Sequence, residues 1–492
     1  VSDSIPKAQT PERLSVSTKL FYGSGSVAFG VKDQGFSYLL LIFYNQVVGL
    51  PSATVGLAIM IALIADSFLD PIMGQVSDNW RSRWGRRHPF MYAAAIPVAV
   101  SYLLLWNPPL NWSHEALFVY LIVVAIIIRS FITMYEIPSA ALAPELTSDY
   151  DERTKVLAYR HFFAWFGGLT MTVLALKVFL TPDAENPIGQ LNRHGYQTYA
   201  YVASAVMLAA IVISSVGTHR HIARFKMPPQ RKVSVGQLAK EMFGTLTHKS
   251  FLVLMGAGLF NAMAGGLVLS LNLYFNTYFW QLPSGQIAIL AMGNFISAVL
   301  AFAMAAPLSK KMGKKAAAQT TKILAFTIAV IPISLRLLGV FPANGDGAVL
   351  PLLFVQTVFS TGFTITSAIL ISSMIADVVE DSELRTGRRS EGLFFSAAAF
   401  ISKAVSGVGI FASSMILLAI GFPQGAKPGQ VSQEVVNNLG VVYLAVLAGL
   451  YGAAILCVSL YRITREGHAE SLRKLAAQAE LVQGGDGPER IG

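Results

Sequence analysis

The chain has 492 residues, of which 54% are hydrophobic and only 13% charged, with a mean hydropathy of +0.55. A soluble domain carries roughly 25% charged residues, so this composition excludes an ordinary soluble enzyme or binding module and indicates an integral membrane protein. The net charge of +10 does not point to nucleic acid, because the basic residues gather in short loops between apolar runs, where retention on the cytoplasmic side accounts for them.

The first residues, V-S-D-S-I-P-K-A-Q-T-P, are polar and lack the basic, apolar and small-residue pattern of a cleaved signal peptide. Runs long enough to span a bilayer, about 20 residues each, follow at 20–49, 54–78, 88–106, 115–145, 153–181, 196–218, 250–281, 284–311, 314–340, 348–378, 390–420 and 434–463. Twelve helical spans predict an all-α membrane protein. Lys and Arg number four in 81–87, two in 150–155, seven in 219–249, four in 310–315 and three in 385–389. The opposite connections hold almost none, Arg193 and Lys427 excepted, so the basic loops and both termini are expected in the cytoplasm. Trp80, Trp84, Trp106, Trp112 and Trp280 fall at the ends of runs as interfacial anchors, and only Trp165 sits well inside.

The long hydrophilic connection 219–249 divides the chain into two six-helix bundles, 19–218 and 250–464, preceded by an N-terminal segment 1–18 and followed by a tail 465–492. The basic turn at 81–87 is echoed by S-K-K-M-G-K-K at 309–315, which implies an internal repeat and a solute site between the halves near the midplane. One cysteine, Cys457, excludes an internal disulfide and a cysteine-based metal site.

Charges inside the runs carry the chemistry. Asp66 and Asp70, one helical turn apart, share a face of span two. Asp33 lies near the middle of span one, Arg129 and Glu136 in span four, Arg160 in span five and Lys403 in span eleven. A lone charge at mid-depth costs at least ~2.5–3.5 kcal/mol, so pairing across a cavity, or burial as structural ion pairs, is required. Two acids one turn apart repel unless a cation or a lysine neutralises them, and Lys403 is the candidate neutraliser. Arg129, seven residues before Glu136, shares its face; an intrahelical pair and a solute contact both remain open.

The turn G-Q-V-S-D-N-W-R-S-R-W-G-R-R-H-P predicts a cytoplasmic gate and latch built on Gly74 for helix approach, Asp78 for capping, Gly85 for a tight turn, and Arg83, Arg86 and Arg87. An equivalent latch with Arg388 and Glu391 is expected within 376–392. His219 and His221 read as a solvated face. No nucleophile elbow or Walker pattern occurs, so neither an enzyme nor a self-contained ATP-driven pump is indicated, and energy must come from a gradient.

D-P-I-M-G-Q-V-S-D-N-W-R-S-R-W-G-R-R-H-P-F resembles the second-span motif of the glycoside–pentoside–hexuronide:cation symporters, a branch of the major facilitator superfamily that includes melibiose permease. The G-R-R-H-P-F ending is similar to plant sucrose transporters. Further matches are K-L-F-Y-G-S-G at 19–25, Y-E-I-P at 135–138, D-E-R-T-K at 151–155 with Tyr159 and Arg160, and R-T-G-R-R-S-E-G-L-F-F-S at 385–396. The resemblance implies the major facilitator fold and coupled import of a sugar, glycoside or uronide with a cation by alternating access, in a monomer of the inner plasma membrane with no cofactor. Asp66, Asp70 and Thr133 match the family's cation site, with Lys403 close by, and Glu136 and Arg160 match its sugar-binding acid and arginine. For the family's acid of span one, an ungapped match from Lys19 gives Gly30, while Asp33, preceded by Lys32 as in the permease, lies one turn later on the same face and is the preferred match.

Leu69 stands where melibiose permease places a polar sodium ligand, which favours H+ over Na+ as coupling ion. Ala140 and Ala368 stand in place of two tryptophans that wall the permease's sugar, which implies a different or bulkier solute and opens an alternative, an amphipathic lipid or organic anion.

Overall fold

The structure, a computed structural model, describes residues 14–147, 149–184, 186–222, 249–386 and 391–461. The expected N-terminal segment up to residue 13, most of the central loop, Arg388 and the tail lie outside the described residues. Every regular element described is helical. Among the described residues, eleven helices are long and apolar enough to cross a membrane. Spans two to six are Ser52–Asn79, His88–Leu105, His114–Leu146, Lys155–Phe179 and Arg193–His219; spans seven to twelve are Lys249–Phe279, Ser284–Met312, Lys314–Leu337, Val349–Val379, Ala397–Ala419 and Gln433–Ser459.

Span one departs from the expected continuous helix. It begins at Val16–Ser24, where the Ser15 hydroxyl accepts from the Thr18 N–H, and continues as Ser26–Gln34. Two π-helical segments follow, Gly35–Leu39 and Phe43–Val47, separated by Leu40–Ile42. Apolar length alone reveals a crossing but not a change to i→i+5 hydrogen bonding.

The chain forms two compact units, Val1–Val233 with Pro283–Ala288, and Ser234–Leu282 with Ile289–Gly492. Four pairings recur in both. In the first, span one packs on five and six, and span three on four and six; in the second, span seven packs on eleven and twelve, and span nine on ten and twelve. Small residues let the backbones meet. A Cβ on Gly30 would lie 2.0 Å from the Ala164 carbonyl oxygen of span five; one on Gly266 would lie 2.3 Å from the Ser406 carbonyl oxygen, and one on Gly409 2.1 Å from that of Met263. Beside the last two, the Ser270 and Ser413 hydroxyls bond at 2.6 Å. Without a hydrophobic force between helices in lipid, such close packing and interhelical hydrogen bonds hold the bundle.

The basic turns repeat as well. Gly85 of R-W-G-R-R and Gly313 of K-M-G-K-K both adopt left-handed backbone, φ 73° and 80°, the conformation that favours glycine.

The adjacent Gly265 and Gly266 test the crossing. Nothing lies within 4 Å of a Cβ on Gly265. Gly265→Ala is therefore expected to leave thermal stability unchanged or raise it by about 0.5–1 kcal/mol through helix propensity, whereas Gly266→Ala is expected to lose ~1–3 kcal/mol by overpacking. Thermal unfolding of the two purified variants checks this difference.

Candidate functional site

Span two presents Asp66 and Asp70 to span four, and the two spans pack along their length. Asp66 is fully buried (0% exposed) and accepts from the guanidinium of Arg129, itself 2% exposed, at 2.7 Å. The same guanidinium lies 4.4 Å from the centroid of the Phe36 ring of span one, on its π face. Thr133, one turn after Arg129, sets its hydroxyl 2.9 Å from Oδ1 of Asp66 and 3.0 Å from Oδ1 of Asp70. The pairing of Arg129 is thus interhelical, with the first acid of span two, and not the intrahelical pair with Glu136 that spacing allowed. A partner from the adjacent helix has no sequence periodicity to announce it.

A hydroxyl carries one proton, so Thr133 donates to only one of the two carboxylates at a time. Oδ1 of Asp66 and Oδ1 of Asp70 are thus alternative acceptors for the one Thr133 hydroxyl, and Asp66 also has the Arg129 guanidinium on its other oxygen.

Asp33 is exposed, its carboxylate 2.8 Å from the ammonium of Lys32, which is 1% exposed. Glu136 is half-buried. Arg160, buried, donates to the Ser139 hydroxyl at 2.9 Å and to the Glu136 carbonyl at 3.1 Å, and lies over the Phe29 ring. Its guanidinium thus ties span five to the end of span four. Ala140 is half-buried, Ala368 is exposed on span ten, and Lys403 is half-buried in the second unit, where its carbonyl accepts from Ser406.

The turn after span two is a network of ion pairs. Buried Arg87 pairs with Asp78, donates to the Ser77 hydroxyl at 2.7 Å and reaches Glu145 at 3.0 Å; Arg86 reaches the same Glu145 oxygen at 2.9 Å. Asp78 lies inside the helix Ser52–Asn79 and serves as an ion-pair partner, not the expected cap. Gly74 corrects likewise: a Cβ there would meet only Ile137 at 3.7 Å, an ordinary contact, so no close helix approach depends on it. Arg83 lies over its neighbour Trp84. In the second unit Lys314 pairs with Asp377, and Lys315 donates to the Ser459 and Tyr461 carbonyls at 2.7 and 2.8 Å. Glu391 opens its helix, but its side chain is outside the described residues.

Several participants escaped the sequence reading. Glu145, in A-P-E-L just after span four, joins both arginines. Lys19 pairs with Glu152 before the membrane part of span five begins. His219 is not a solvated face: its Nδ1 lies 3.0 Å from the Tyr92 hydroxyl and its ring 5.5 Å from that of His88, while His221 bonds the Thr18 hydroxyl. Lys322 of span nine is buried, its ammonium 4.5 Å from the centroid of the Tyr451 ring. A basic residue two turns beyond a basic turn was the available signal for it.

Removing one member of the Asp66–Arg129 pair strands the other in low dielectric. Arg129→Met is expected to destabilise the chain by roughly 3–5 kcal/mol, and adding Asp66→Asn is expected to recover most of that loss; thermal unfolding of the single and double variants measures both. At the basic end, donation from Lys19, against some desolvation and with help from Lys155, holds the Glu152 carboxyl below its ordinary range. A depressed value in the folded state stabilises above the unfolded pKa and is lost as pH falls through the folded one. The stability difference between the native chain and Glu152→Gln is therefore expected to be constant near neutrality and to vanish on acidification below about pH 4, read from unfolding midpoints across pH.

Residues 21–465 match the MFS/sugar transport protein family. An isoprimeverose transporter from Lactiplantibacillus pentosus is 24% identical, over 91% of this chain and 89% of that protein. The sodium-dependent lysophosphatidylcholine symporter 1 of Gallus gallus is 24% identical, over 95% of this chain and 90% of its own length. Among solved structures, the crystal structure of a D-xylose-proton symporter superposes with a TM-score of 0.60 at 14% identity, covering 92% of this chain and 98% of the other, a likeness of fold. With its multiple apolar spans, its repeated pairings and a family match along nearly its whole length, the chain belongs to the MFS/sugar transport protein family: it is a multi-pass membrane transporter of the major facilitator fold and not an enzyme.

Proposed function

We propose that the chain is a secondary active symporter that imports a sugar, glycoside or uronide with H+ across the inner membrane, with both termini in the cytoplasm. The observation that carries the choice of ion is the Thr133 hydroxyl shared between Asp66 and Asp70, with Arg129 already on Asp66. Sodium needs several oxygen ligands at once; here one carboxylate oxygen is taken by a guanidinium, and Leu69 contributes none. A proton needs a single carboxyl, and Asp70 beside Thr133 offers it.

In this mechanism Arg129 is a tethered cation that keeps Asp66 charged, and Asp70 loads and releases the transported proton through Thr133. Asp33, Glu136 and the end of span four held by Arg160 bind the solute's hydroxyls, and Lys403 responds to the charge of the acids. Occupancy by both ligands favours the exchange between inward-open and outward-open states, because each binds the states unequally.

A second reading, transport of an amphipathic lipid or organic anion, is favoured by Ala140 and Ala368 in place of aromatic walls and by the lysophosphatidylcholine symporter among the relatives. Proteoliposomes offered glycosides, uronides and lysophospholipids under imposed H+ or Na+ gradients separate the two. Accumulation of a glycoside or uronide under an inward H+ gradient is expected, with no stimulation by Na+. Asp70→Asn is expected to abolish accumulation while retaining exchange of preloaded solute. Concentrative uptake that persists in this variant would exclude Asp70 as the proton site.

A further inference from the structure

Span one ends in F-Y-N-Q-V-V-G-L-P-S at 43–52 and span seven in F-N-T-Y-F-W-Q-L-P-S at 275–284. The two segments align without a gap and close on the same hydrogen bonds. The Val48 N–H donates to the Phe43 carbonyl and the Trp280 N–H to that of Phe275, both at 2.9 Å. Two residues later the Leu50 N–H donates to Tyr44 at 2.9 Å and the Leu282 N–H to Asn276 at 2.8 Å. Between these bonds each segment turns on one left-handed residue, Gly49 at φ 92° and Gln281 at φ 52°.

Gln281 is the only non-glycine residue with positive φ among the described residues. Glycine takes this conformation freely and a side chain takes it under strain. A Cβ on Gly49 would meet nothing within 4 Å, so the turn itself has no use for a side chain. What distinguishes the second copy is a cavity of about 200 Å³ that Gln281 lines together with Tyr278, Phe279, Arg336, Asn344 and Gln433. Strain held at a cavity points to a role for the strained side chain.

Arg336 supplies the cavity's charge. Its guanidinium bonds to the Pro342 carbonyl and to Oδ1 of Asn344 and lies 5.8 Å from the centroid of the Trp280 ring, while the Asn344 amide donates to the Phe279 carbonyl at 3.1 Å. Its partners are thus neutral oxygens and a ring, and no carboxylate pairs with it among the described residues; Asp346, nearest in sequence, caps the Ala348 N–H instead. Two of its five donors are used in these bonds, and the remaining three suit a carboxylate. The volume holds about seven waters at their liquid share, which suits one sugar ring.

We propose that this cavity, at the end of the second unit remote from its basic turn, is a peripheral solute site for a single acidic sugar ring. The carboxylate meets Arg336, the hydroxyls meet the amides of Gln281, Asn344 and Gln433, and the apolar face of the ring lies on Tyr278 and Phe279. The ligand class rests on the glycoside or uronide import proposed above.

Hydrogen exchange of the full chain in lipid nanodiscs tests the site at segments 278–286 and 340–347, with D-glucuronate, D-glucose and acetate as probes. D-glucuronate is expected to slow exchange there severalfold, and D-glucose and acetate are not. Arg336→Gln and Gln281→Gly are each expected to remove the slowing. Gln281→Gly also relieves the left-handed strain, so its unfolding midpoint stays the same or rises and its loss of protection is not misfolding. No slowing by glucuronate, equal slowing by glucose or acetate, or slowing that survives Gln281→Gly overturns the proposal. Asp70→Asn, which disables accumulation, leaves this protection in place, so failure of the peripheral site and failure of proton symport read out separately.

Discussion

An ionised carboxylate with no exposure to water must have a cation at hydrogen-bonding distance, and in the first bundle that requirement is met between Asp66 and Arg129. It aligns span two with span four at a defined height, because a shift of one residue would separate the two groups. It places Thr133, one turn on from the arginine, between the two acids, and brings the face of Phe36 against the guanidinium. A buried pair of this kind adds little net stability compared with apolar packing. What it contributes is a fixed register between the two spans that carry the acids and the shared hydroxyl.

The two bundles reuse one backbone plan and differ in charge. Glycine-mediated crossings join spans one and five, and seven and eleven, and the left-handed glycines of the basic turns recur at 85 and 313. Yet every Asp and Glu between 249 and 464 lies near the ends of the runs, whereas the first bundle carries Asp33, Asp66, Asp70 and Glu136 within them. The second bundle's intramembrane charges are the cations Lys322 and Lys403. A duplicated scaffold thus holds acids and bases within the runs of its first copy and only bases within those of its second.

Eleven crossings among the described residues were legible because a bilayer demands long apolar runs, and most boundaries fall within a few residues of those drawn from composition. Gly85 was legible for a similar reason, since a glycine amid arginines between two runs has few other uses. The π-helical segments of span one left no trace, because hydropathy does not distinguish i→i+4 from i→i+5 bonding. The cluster of Asp66, Asp70 and Thr133 was half legible: its members stood out by spacing and resemblance, but the partner of Asp66 is set by how two helices pack. The resemblance matched Arg160 to a sugar-binding arginine, and helix packing adds what the resemblance did not show, its bonds to the Ser139 hydroxyl and the Glu136 carbonyl. Gly74 and Asp78 were assigned local duties that the continuous helix through Asn79 removes.

The neutrality of the Asp66–Arg129 pair has an electrical consequence. Because the two charges cancel, motion of spans two and four through the bilayer moves no net charge on their account. If Asp70 carries the proton, the loaded cluster is neutral and the unloaded one has a single negative charge. A membrane potential then acts on the unloaded carrier, with about 2.3 kcal/mol per 100 mV for a charge crossing the full field. Of the charge that crosses the bilayer, the Asp66–Arg129 pair thus contributes none, and the protonation of Asp70 decides one elementary charge of it.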